Sequence, residues 1–162
     1  MMAAALRQRV QHYLPQLPAR VTRYTPAPVM ELLLTQGLNH VLQAECRAGE
    51  LEFLRRRIAR VEITDLNFSF SLTFNGQRLQ ALLPAQPSEV MLRSDQYSLL
   101  QILHGDADPD TLFFRRKLLI TGDTELGLYL KNMIDTVPLT QRIPAPLMRL
   151  LSHIYQSRQA EK

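Results

Sequence analysis

The chain has 162 residues, of which 46% are hydrophobic and 21% charged, and it carries a net charge of +4. This composition is typical of one globular domain and excludes a disordered or fibrous chain. No apolar run approaches the roughly 18 residues of a membrane span. Residues 1–14 lack the pattern of a secretory signal, and the single cysteine, Cys46, excludes an internal disulfide and fits a reducing compartment.

The charge is unevenly distributed along the chain. Residues 1–60 contain nine arginines against four glutamates, a net charge of +5. Residues 61–135 have a net charge of −4, and residues 136–162 have one of +3. Two basic ends therefore flank an acidic middle. This pattern indicates ends that meet an anionic surface, either lipid head groups or nucleic acid, although ordinary solvated charge explains it as well.

Helical periodicity dominates the first third of the chain. Residues 3–14 predict a short amphipathic helix, and the prolines of residues 15–28 predict a connector that cannot form one helix. Residues 28–46 predict a long helix, which Gly49 terminates. Its apolar face comprises Met30, Leu34, Leu38, Val41 and Leu42.

From residue 59 the apolar residues recur at every second position, which is the period of a β-strand with one solvated face. Asn75–Gly76 is a strong hairpin signal between two of these strands. The predicted elements, in chain order, are strands in 59–64, 68–74, 79–83 and 89–94, a helix across 97–104 capped by Asp95 or Ser94, a loop in 105–110, a strand in 116–121, a helix in 124–136 capped by Asp123, and a last helix from Pro146.

These elements predict an α+β fold, with a five-stranded, mostly antiparallel sheet covered on one face by helices. In the last helix, Leu147, Leu150, Leu151 and Ile154 are expected to point inward, and Arg149 and Arg158 outward. We divide the chain into residues 1–25, an N-terminal helix and connector, residues 26–137, the main domain, and residues 138–162, a C-terminal amphipathic helix.

No group of residues indicates catalysis. The four histidines lie on different predicted elements, without the spacing of a metal site. Asp106, Asp108 and Asp110 alternate like part of a calcium loop, but the required glycine and terminal glutamate are not at the right offsets, so a solvated turn is predicted. Neither a phosphate-binding glycine loop nor a nucleophile elbow occurs. We therefore expect no enzyme activity, no catalytic residue, no metal site and no cofactor.

A nucleic-acid platform is also disfavoured. Such a platform would show exposed aromatics interleaved with basic residues on its strands. Here Phe68, Phe70 and Phe74 share a face with Leu72 and alternate with small hydroxyl residues, which is typical of a buried face. We expect no nucleic-acid partner.

The predicted helices and strands carry more apolar surface than a sheet with helices on one face requires. The helix in 124–136 is apolar over more than one stripe, and the long helix has three consecutive leucines, Leu32 to Leu34. Two interpretations stay open: the core is simply thick, or a ligand occupies part of it.

Two segments resemble sterol carrier protein 2 domains. The first is DPDTLFFRRKLLITGDTELGLYLKNMID, residues 108–135, with its aromatic pair, basic residues, strand ending in Gly-Asp and following apolar helix; the second is the strand and hairpin region of residues 51–77. The resemblance covers roughly residues 26–137. Within this family the chain is most similar to bacterial accessory factors of ubiquinone biosynthesis, through Gly49–Leu54 and the run GDTELGLY.

The resemblance implies a small protein with an apolar cavity between sheet and helices that binds lipid, and it supplies no catalytic residue. The residues expected to line the cavity are Leu34, Leu38, Phe70, Leu72, Phe74, Leu118, Ile120, Leu126, Leu130, Met133 and Ile134. Those expected to contact a head group or a membrane are Arg115, Arg116, Lys117 and Arg149.

The resemblance further implies an accessory role in oxygen-independent ubiquinone synthesis. The expected ligand is an isoprenoid quinone precursor or a phospholipid, and the expected partners are the two iron–sulfur accessory proteins of that pathway. The location would be cytoplasmic. The basic terminal helices either lie on an anionic inner-membrane surface or pack on the core. The alternative function is a scaffold that assembles the biosynthetic complex without a lipid ligand.

Overall fold

Five strands form a single sheet in the computed structural model, which describes residues 13–161. The strands are β1 (Ala59–Ile63), β2 (Phe68–Phe74), β3 (Leu79–Leu82), β4 (Val90–Ser94) and β5 (Leu118–Gly122). The helices of this part of the chain are α1 (Leu17–Tyr24), α2 (Ala27–Val41), α3 (Gln43–Ala48), α4 (Gln96–His104), α5 (Pro109–Phe114), α6 (Thr124–Thr136), α7 (Leu139–Arg142) and α8 (Ala145–Ala160).

The strand order is β3-β2-β1-β4-β5, and all neighbours are antiparallel except the central pair β1 and β4, which is parallel. The parallel register sets Ala59 beside Val90 and Ile63 beside Ser94. The chain forms the hairpin of β2 and β3 between β1 and β4. The predicted five-stranded, mostly antiparallel sheet is confirmed.

The sheet has one buried face and one partly solvated face. Phe70, Leu72 and Phe74 of β2 are buried, and helices α2 and α6 pack against the sheet. The opposite face carries polar residues, among them Glu62, which forms an ion pair with Arg93 at 3.2 Å. Successive side chains of a strand point to opposite faces of the sheet, which is why the alternation of apolar residues predicted one covered face.

The hairpin between β2 and β3 is built by Asn75. Its side-chain oxygen accepts hydrogen bonds from the backbone amides of Gln77 and Arg78 at 2.9 and 2.8 Å, and its own amide donates to the Arg78 carbonyl at 3.1 Å. Gly76 has a φ of +96°, a conformation that a side chain would strain. The predicted hairpin is confirmed, with a loop of four residues rather than a turn centred on two.

Helix α2 runs along the open edge of β3 and satisfies its backbone. The side chain of Asn39 accepts from the Leu79 amide at 2.9 Å and donates to the Leu79 carbonyl at 2.8 Å. Thr35 and Glu31, one and two turns earlier, accept from the amides of Ala81 and Leu83 at 3.1 and 3.0 Å. A polar stripe on the helix thus takes the place of a sixth strand.

Two predictions about the helices were wrong, and the prediction of the connector was incomplete. The long helix predicted for residues 28–46 is interrupted at Leu42, where φ and ψ are −103° and 20°, so that α2 and α3 are separate; Gly49 does terminate α3 in the left-handed conformation. The predicted connector contains α1, which begins immediately after a 3-10 turn. The predicted loop 105–110 ends in α5, because Asp108 accepts from the Thr111 amide at 2.7 Å and Pro109 suits the first turn.

The C-terminal helix α8 packs on α4 through Ile154 and Tyr155, which are 3% and 5% exposed. Leu147 and Leu150 were expected to point inward, but the first turns of α8 extend past the core and leave both exposed. Arg158 was expected to point into solvent, but its guanidinium donates to the Pro15 carbonyl at 2.9 Å. The helix predicted for residues 3–14 lies outside the described residues, apart from its last two positions.

Candidate lipid-binding site

The strand β5 and the helix α6 form one wall of the main core. Asp123 caps α6 by accepting from the Leu126 amide at 2.8 Å, as the sequence predicted. Gly127 lies directly on β5, because a Cβ atom there would come within 2.7 Å of Ile120 Cγ2. The helix therefore approaches the strand closely, and Leu126 and Leu130 are buried between them and the rest of the sheet.

The turn between β5 and α6 is fixed by backbone and by charge. Gly122 has a φ of +100°, and a Cβ atom at this position would lie 2.3 Å from the Glu89 carbonyl oxygen. That carbonyl accepts from the Asp123 amide at 2.8 Å. Arg57 pairs with both Glu89 and Asp123, the second at 3.2 Å. The hydrogen bond from the Leu126 amide, followed by the Arg57 charge, holds the pKa of Asp123 below its usual value of 3.8.

The residues predicted to line a cavity fall into two adjoining clusters. The larger one buries Phe70, Leu72, Phe74, Leu126 and Leu130, with Leu34, Leu38, Ile120 and Met133 packed against it. The smaller one buries Leu118, with Ile120 and Ile134 against it. Ile120 belongs to both clusters, so the structure brings the eleven predicted residues into one continuous apolar region.

Surface cavities of about 560, 350 and 720 Å³ are among those in the described part of the chain. The first lies between α7 and α8, the second beside the loop that precedes α5, and the third between α1 and α8. Ile134 lines the second cavity, and the other ten predicted residues line none of these three. The assignment of the eleven residues to a lipid site stays a prediction.

The residues predicted to meet a head group are exposed. Arg115, Arg116 and Lys117 form the turn between α5 and β5, and Arg149 lies near the start of α8. Arg149 also lines the cavity of about 560 Å³ between α7 and α8. The four cations are accessible, but Arg149 belongs to a different part of the chain from the turn.

Several core residues were not among the predicted site residues. Leu51, Leu54 and Val90 are at most 1% exposed and belong to the larger cluster. Leu51 and Leu54 belong to the Gly49–Leu54 segment that supported the resemblance, so the resemblance was the signal that could have identified them as core residues. Val90 was visible as the first apolar position of the fourth strand.

The aspartates that the sequence analysis singled out have structural partners. Tyr155 donates to Asp106 at 2.6 Å, and burial, together with this bond, raises the pKa of Tyr155 to about 12. Asp108 caps α5, and Asp110 pairs with Lys131 of α6. Partial burial raises the pKa of the Cys46 thiol, which disfavours the reactive thiolate. Within residues 13–161, no group of three or more metal-binding side chains is found.

The comparisons with known proteins identify the class to which this fold and apolar region belong. A family profile described as "SCP-2 sterol transfer family" matches residues 38–135. The chain belongs to the SCP-2 sterol transfer family. The ubiquinone biosynthesis accessory factor UbiT of Escherichia coli strain K12 is 37% identical over 146 residues, which are 90% of this chain and 83% of that protein. UbiT of Escherichia coli O157:H7 has the same identity and coverage.

A solved structure supports the fold independently. The UbiJ-SCP2 ubiquinone synthesis protein superposes with a TM-score of 0.55 at 18% sequence identity, and the match covers 68% of this chain and 96% of that chain. This likeness confirms the sterol carrier protein 2 fold. In the described residues, none of the helices is long and apolar enough to cross a membrane.

Proposed function

We propose that this chain is a non-enzymatic, lipid-binding accessory factor of ubiquinone biosynthesis. The observation that carries the proposal is the 37% identity to UbiT over 90% of the chain. Membership of the SCP-2 sterol transfer family supports a carrier role, because the family description concerns the transfer of a lipid. The structural use of the polar groups described above favours binding over catalysis.

The ligand that we propose is an isoprenoid quinone precursor or a phospholipid. Both present long apolar chains, which require a dry site lined by aliphatic and aromatic side chains. The region between α2, α6 and the buried face of the sheet offers such side chains, including Phe70, Leu130 and Met133. Methionine is unbranched and flexible, so Met133 would adapt readily to an inserted chain.

We further propose that the chain acts in the oxygen-independent branch of ubiquinone synthesis, in the cytoplasm, beside two iron–sulfur accessory proteins. A bacterial strain that lacks UbiT and expresses this chain would test the proposal. We expect the chain to restore ubiquinone during growth without oxygen and to have no effect on ubiquinone during aerobic growth. Restoration in air alone, or under neither condition, would contradict this role.

The lipid is tested separately on the purified protein. We expect organic extraction of the native protein, followed by mass spectrometry, to release a prenylated or acylated lipid in near-stoichiometric amount. A denatured and refolded sample serves as the control, because it should carry none. A native sample free of lipid would support the scaffold function instead.

The position of the ligand can be tested with a charge in the apolar region. Ile120→Asp and Leu130→Asp each introduce an unpaired carboxylate, whose burial costs several kcal/mol. If the residues line a lipid cavity, lipid content falls while circular dichroism still shows a folded protein, because water can reach the charge. Thr121→Asp, at an exposed position of the same strand, is the control and should keep both lipid and fold.

A scaffold that assembles the biosynthetic complex without a ligand is the second candidate. It is favoured by the contacts within the two clusters, in which the predicted lining residues pack against one another. In that case Leu130, which is 5% exposed, belongs to a filled core. Leu130→Asp would then unfold the protein instead of lowering the lipid content of a folded protein.

A further inference from the structure

Five consecutive residues, Phe113 to Lys117, are exposed across the last two residues of α5 and the turn to β5, and we refer to them as the aromatic-basic turn. Phe114 is 80% exposed and Phe113 is 40% exposed, and their rings meet edge to face at 5.8 Å between centroids. Leu119, two residues beyond the turn, is 40% exposed. Large apolar side chains held together in water indicate a surface that a partner covers.

The same turn concentrates positive charge. Arg115, Arg116 and Lys117 are consecutive, and their side chains have no ion pair or hydrogen bond within residues 13–161. Asp110, the acidic residue nearest in sequence, is already paired with Lys131 of α6. The turn therefore combines unpaired positive charge with exposed apolar side chains.

The backbone of the turn holds a cation at a position that ordinarily favours glycine. Arg116 has a φ of +57°, and its amide donates to the Phe113 carbonyl at 3.0 Å, while the Lys117 amide donates to the Leu112 carbonyl at 2.8 Å. These two bonds close a left-handed helix terminus, in which glycine avoids the strain that a side chain incurs. These bonds therefore give the turn that carries the three cations a defined backbone geometry.

We propose that the aromatic-basic turn docks the protein on an anionic lipid bilayer. Phe114 enters the boundary between head groups and acyl chains, Phe113 and Leu119 lie beside it, and the three cations contact head-group phosphates. A bilayer fits better than a protein surface, because a stable protein interface buries about 1,200 Å² or more. One protruding phenylalanine with a few neighbours and adjacent cations is sufficient for an interfacial anchor.

Membrane docking suits the proposed function, because a carrier of an insoluble lipid must reach the membrane that holds the lipid. Only this reason for docking rests on the proposed function. The docking surface itself depends on the exposure and the charge of the turn. Its three cations, Arg115, Arg116 and Lys117, were already expected from the sequence to contact a head group or a membrane, and the exposed aromatic pair adds an apolar anchor to them. The turn is distinct from the basic ends of the chain, which the sequence had indicated as a further membrane contact. Arg158 of the C-terminal end is bonded to Pro15 and is not available.

The first experiment uses the absence of tryptophan from the chain. Phe114→Trp gives a full-length protein with a single fluorescent reporter at the tip of the turn. With vesicles of phosphatidylcholine and phosphatidylglycerol we expect a blue shift of the emission, and quenching by lipids brominated on their acyl chains. Vesicles of phosphatidylcholine alone should produce neither. A protein that binds the anionic vesicles while its tryptophan stays in water would overturn the proposal.

The second experiment compares two arginines in the same conformation. Arg116→Gly and Arg56→Gly each remove one positive charge and relieve a φ of +57°. Both variants should resist urea at least as well as the parent protein. Arg116→Gly should bind anionic vesicles about fivefold more weakly, the effect of one cation near such a surface, and Arg56→Gly should bind within twofold of the parent. Equal losses in the two variants would mean that net charge, and not the turn, governs binding.

The apolar anchor is tested with Phe114→Ala, which should weaken binding to anionic vesicles by tenfold or more, since a buried phenylalanine side chain is lost. Unchanged binding would overturn the proposal. No binding of the parent protein to any vesicle would also overturn it and would assign the turn to an acidic protein partner. Because the vesicles contain no quinone, these results are independent of the lipid found in the purified protein.

Discussion

Gly122 and Gly127 show at the residue scale why the segment from β5 to α6 requires glycine at two positions. The first allows the chain to turn against the Glu89 carbonyl, and the second lets α6 lie on Ile120. The two needs differ, because a carbonyl of the backbone cannot move aside, whereas the end of an isoleucine side chain can. Gly122 is therefore the more sensitive of the two positions.

We predict that Gly122→Ala destabilises the protein by roughly 2–4 kcal/mol, from the strained φ of +100° and the 2.3 Å approach to the Glu89 oxygen. Gly37→Ala is the matched control. Gly37 lies inside α2 with no atom within 4 Å of the added methyl group, so alanine there should stabilise the protein by about 0.5–1 kcal/mol. Urea unfolding monitored by circular dichroism measures both; a stable Gly122→Ala variant would contradict the geometry.

Asp123 makes the stability of the protein depend on pH. Its pKa is lowered below 3.8 by the Leu126 amide and then by Arg57, so the folded state binds the proton less tightly than the unfolded state. The stabilisation is present above the unfolded pKa and is lost as the pH falls through the folded pKa. The affected window lies below about pH 4. Asp108, whose pKa is lowered by the Thr111 amide, acts in the same direction.

We predict that the urea midpoint of Asp123→Asn declines less steeply than that of the parent protein as the pH falls below about 4. Asparagine still caps the helix but does not titrate. Asp123→Asn combined with Asp108→Asn should flatten the decline further. Parallel declines in all three proteins would show that neither cap contributes to the acid sensitivity.

At the scale of the elements, the sequence predicted best where the signals were local. The helix α6 was predicted with its bounds and its cap, because Asp123 and the spacing of Leu126, Leu130 and Met133 lie within one segment. The helix α5 was missed because its capping aspartate stood among other aspartates of an expected turn. The break at Leu42 coincides with tertiary contacts that the local sequence does not reveal: Arg142 pairs with Glu45 of α3 at 2.5 Å and donates to the Val41 carbonyl at 3.0 Å.

The contact of α2 with β3 also depends on the fold. Alternate amides of β3 are matched by side chains spaced one helical turn apart, and only the three-dimensional arrangement brings them together. Asn39 is the central contact, since it both accepts from and donates to Leu79. Asn39 lies within the helix predicted for residues 28–46 but outside its apolar face, and nothing in the sequence pattern indicated a contact with Leu79.

We predict that Asn39→Ala destabilises the protein by about 1–3 kcal/mol, because two buried backbone groups of Leu79 lose their partner. Gln36→Ala, at an exposed position of the same helix, is the control and should change the stability by less than about 0.5 kcal/mol. Thermal unfolding and amide exchange at Leu79 measure the effect. An unaltered Leu79 exchange rate in the variant would contradict the assigned bonds.

At the scale of the whole molecule, the apolar periodicity predicted the α+β class and one covered face, and the resemblance correctly indicated the sterol carrier protein 2 family. The division of the eleven apolar residues between two clusters depends on side-chain packing, which periodicity does not specify. Whether a lipid separates these side chains in the loaded protein is a question of binding, and it has a thermodynamic test.

We predict that the delipidated protein gains stability when its lipid is added. Ligand at 100 times its Kd stabilises a folded protein by about 2.7 kcal/mol, which raises the Tm of a chain of this size by roughly 5–10 °C. Scanning calorimetry with and without a polyprenylated quinone precursor measures the shift. Leu130→Asp, if folded, should show no shift; an equal shift in that variant would place the ligand elsewhere.

The polar stripe of α2 has one more consequence. A bare strand edge offers its amides and carbonyls to any extended chain, including the same edge of another molecule. Asn39, Thr35 and Glu31 occupy these groups on β3. If α2 were displaced, β3 would become a template for pairing between chains, and Leu34 and Leu38 would leave the core with the helix. Helix α2 therefore shields the edge of β3 from pairing with another chain.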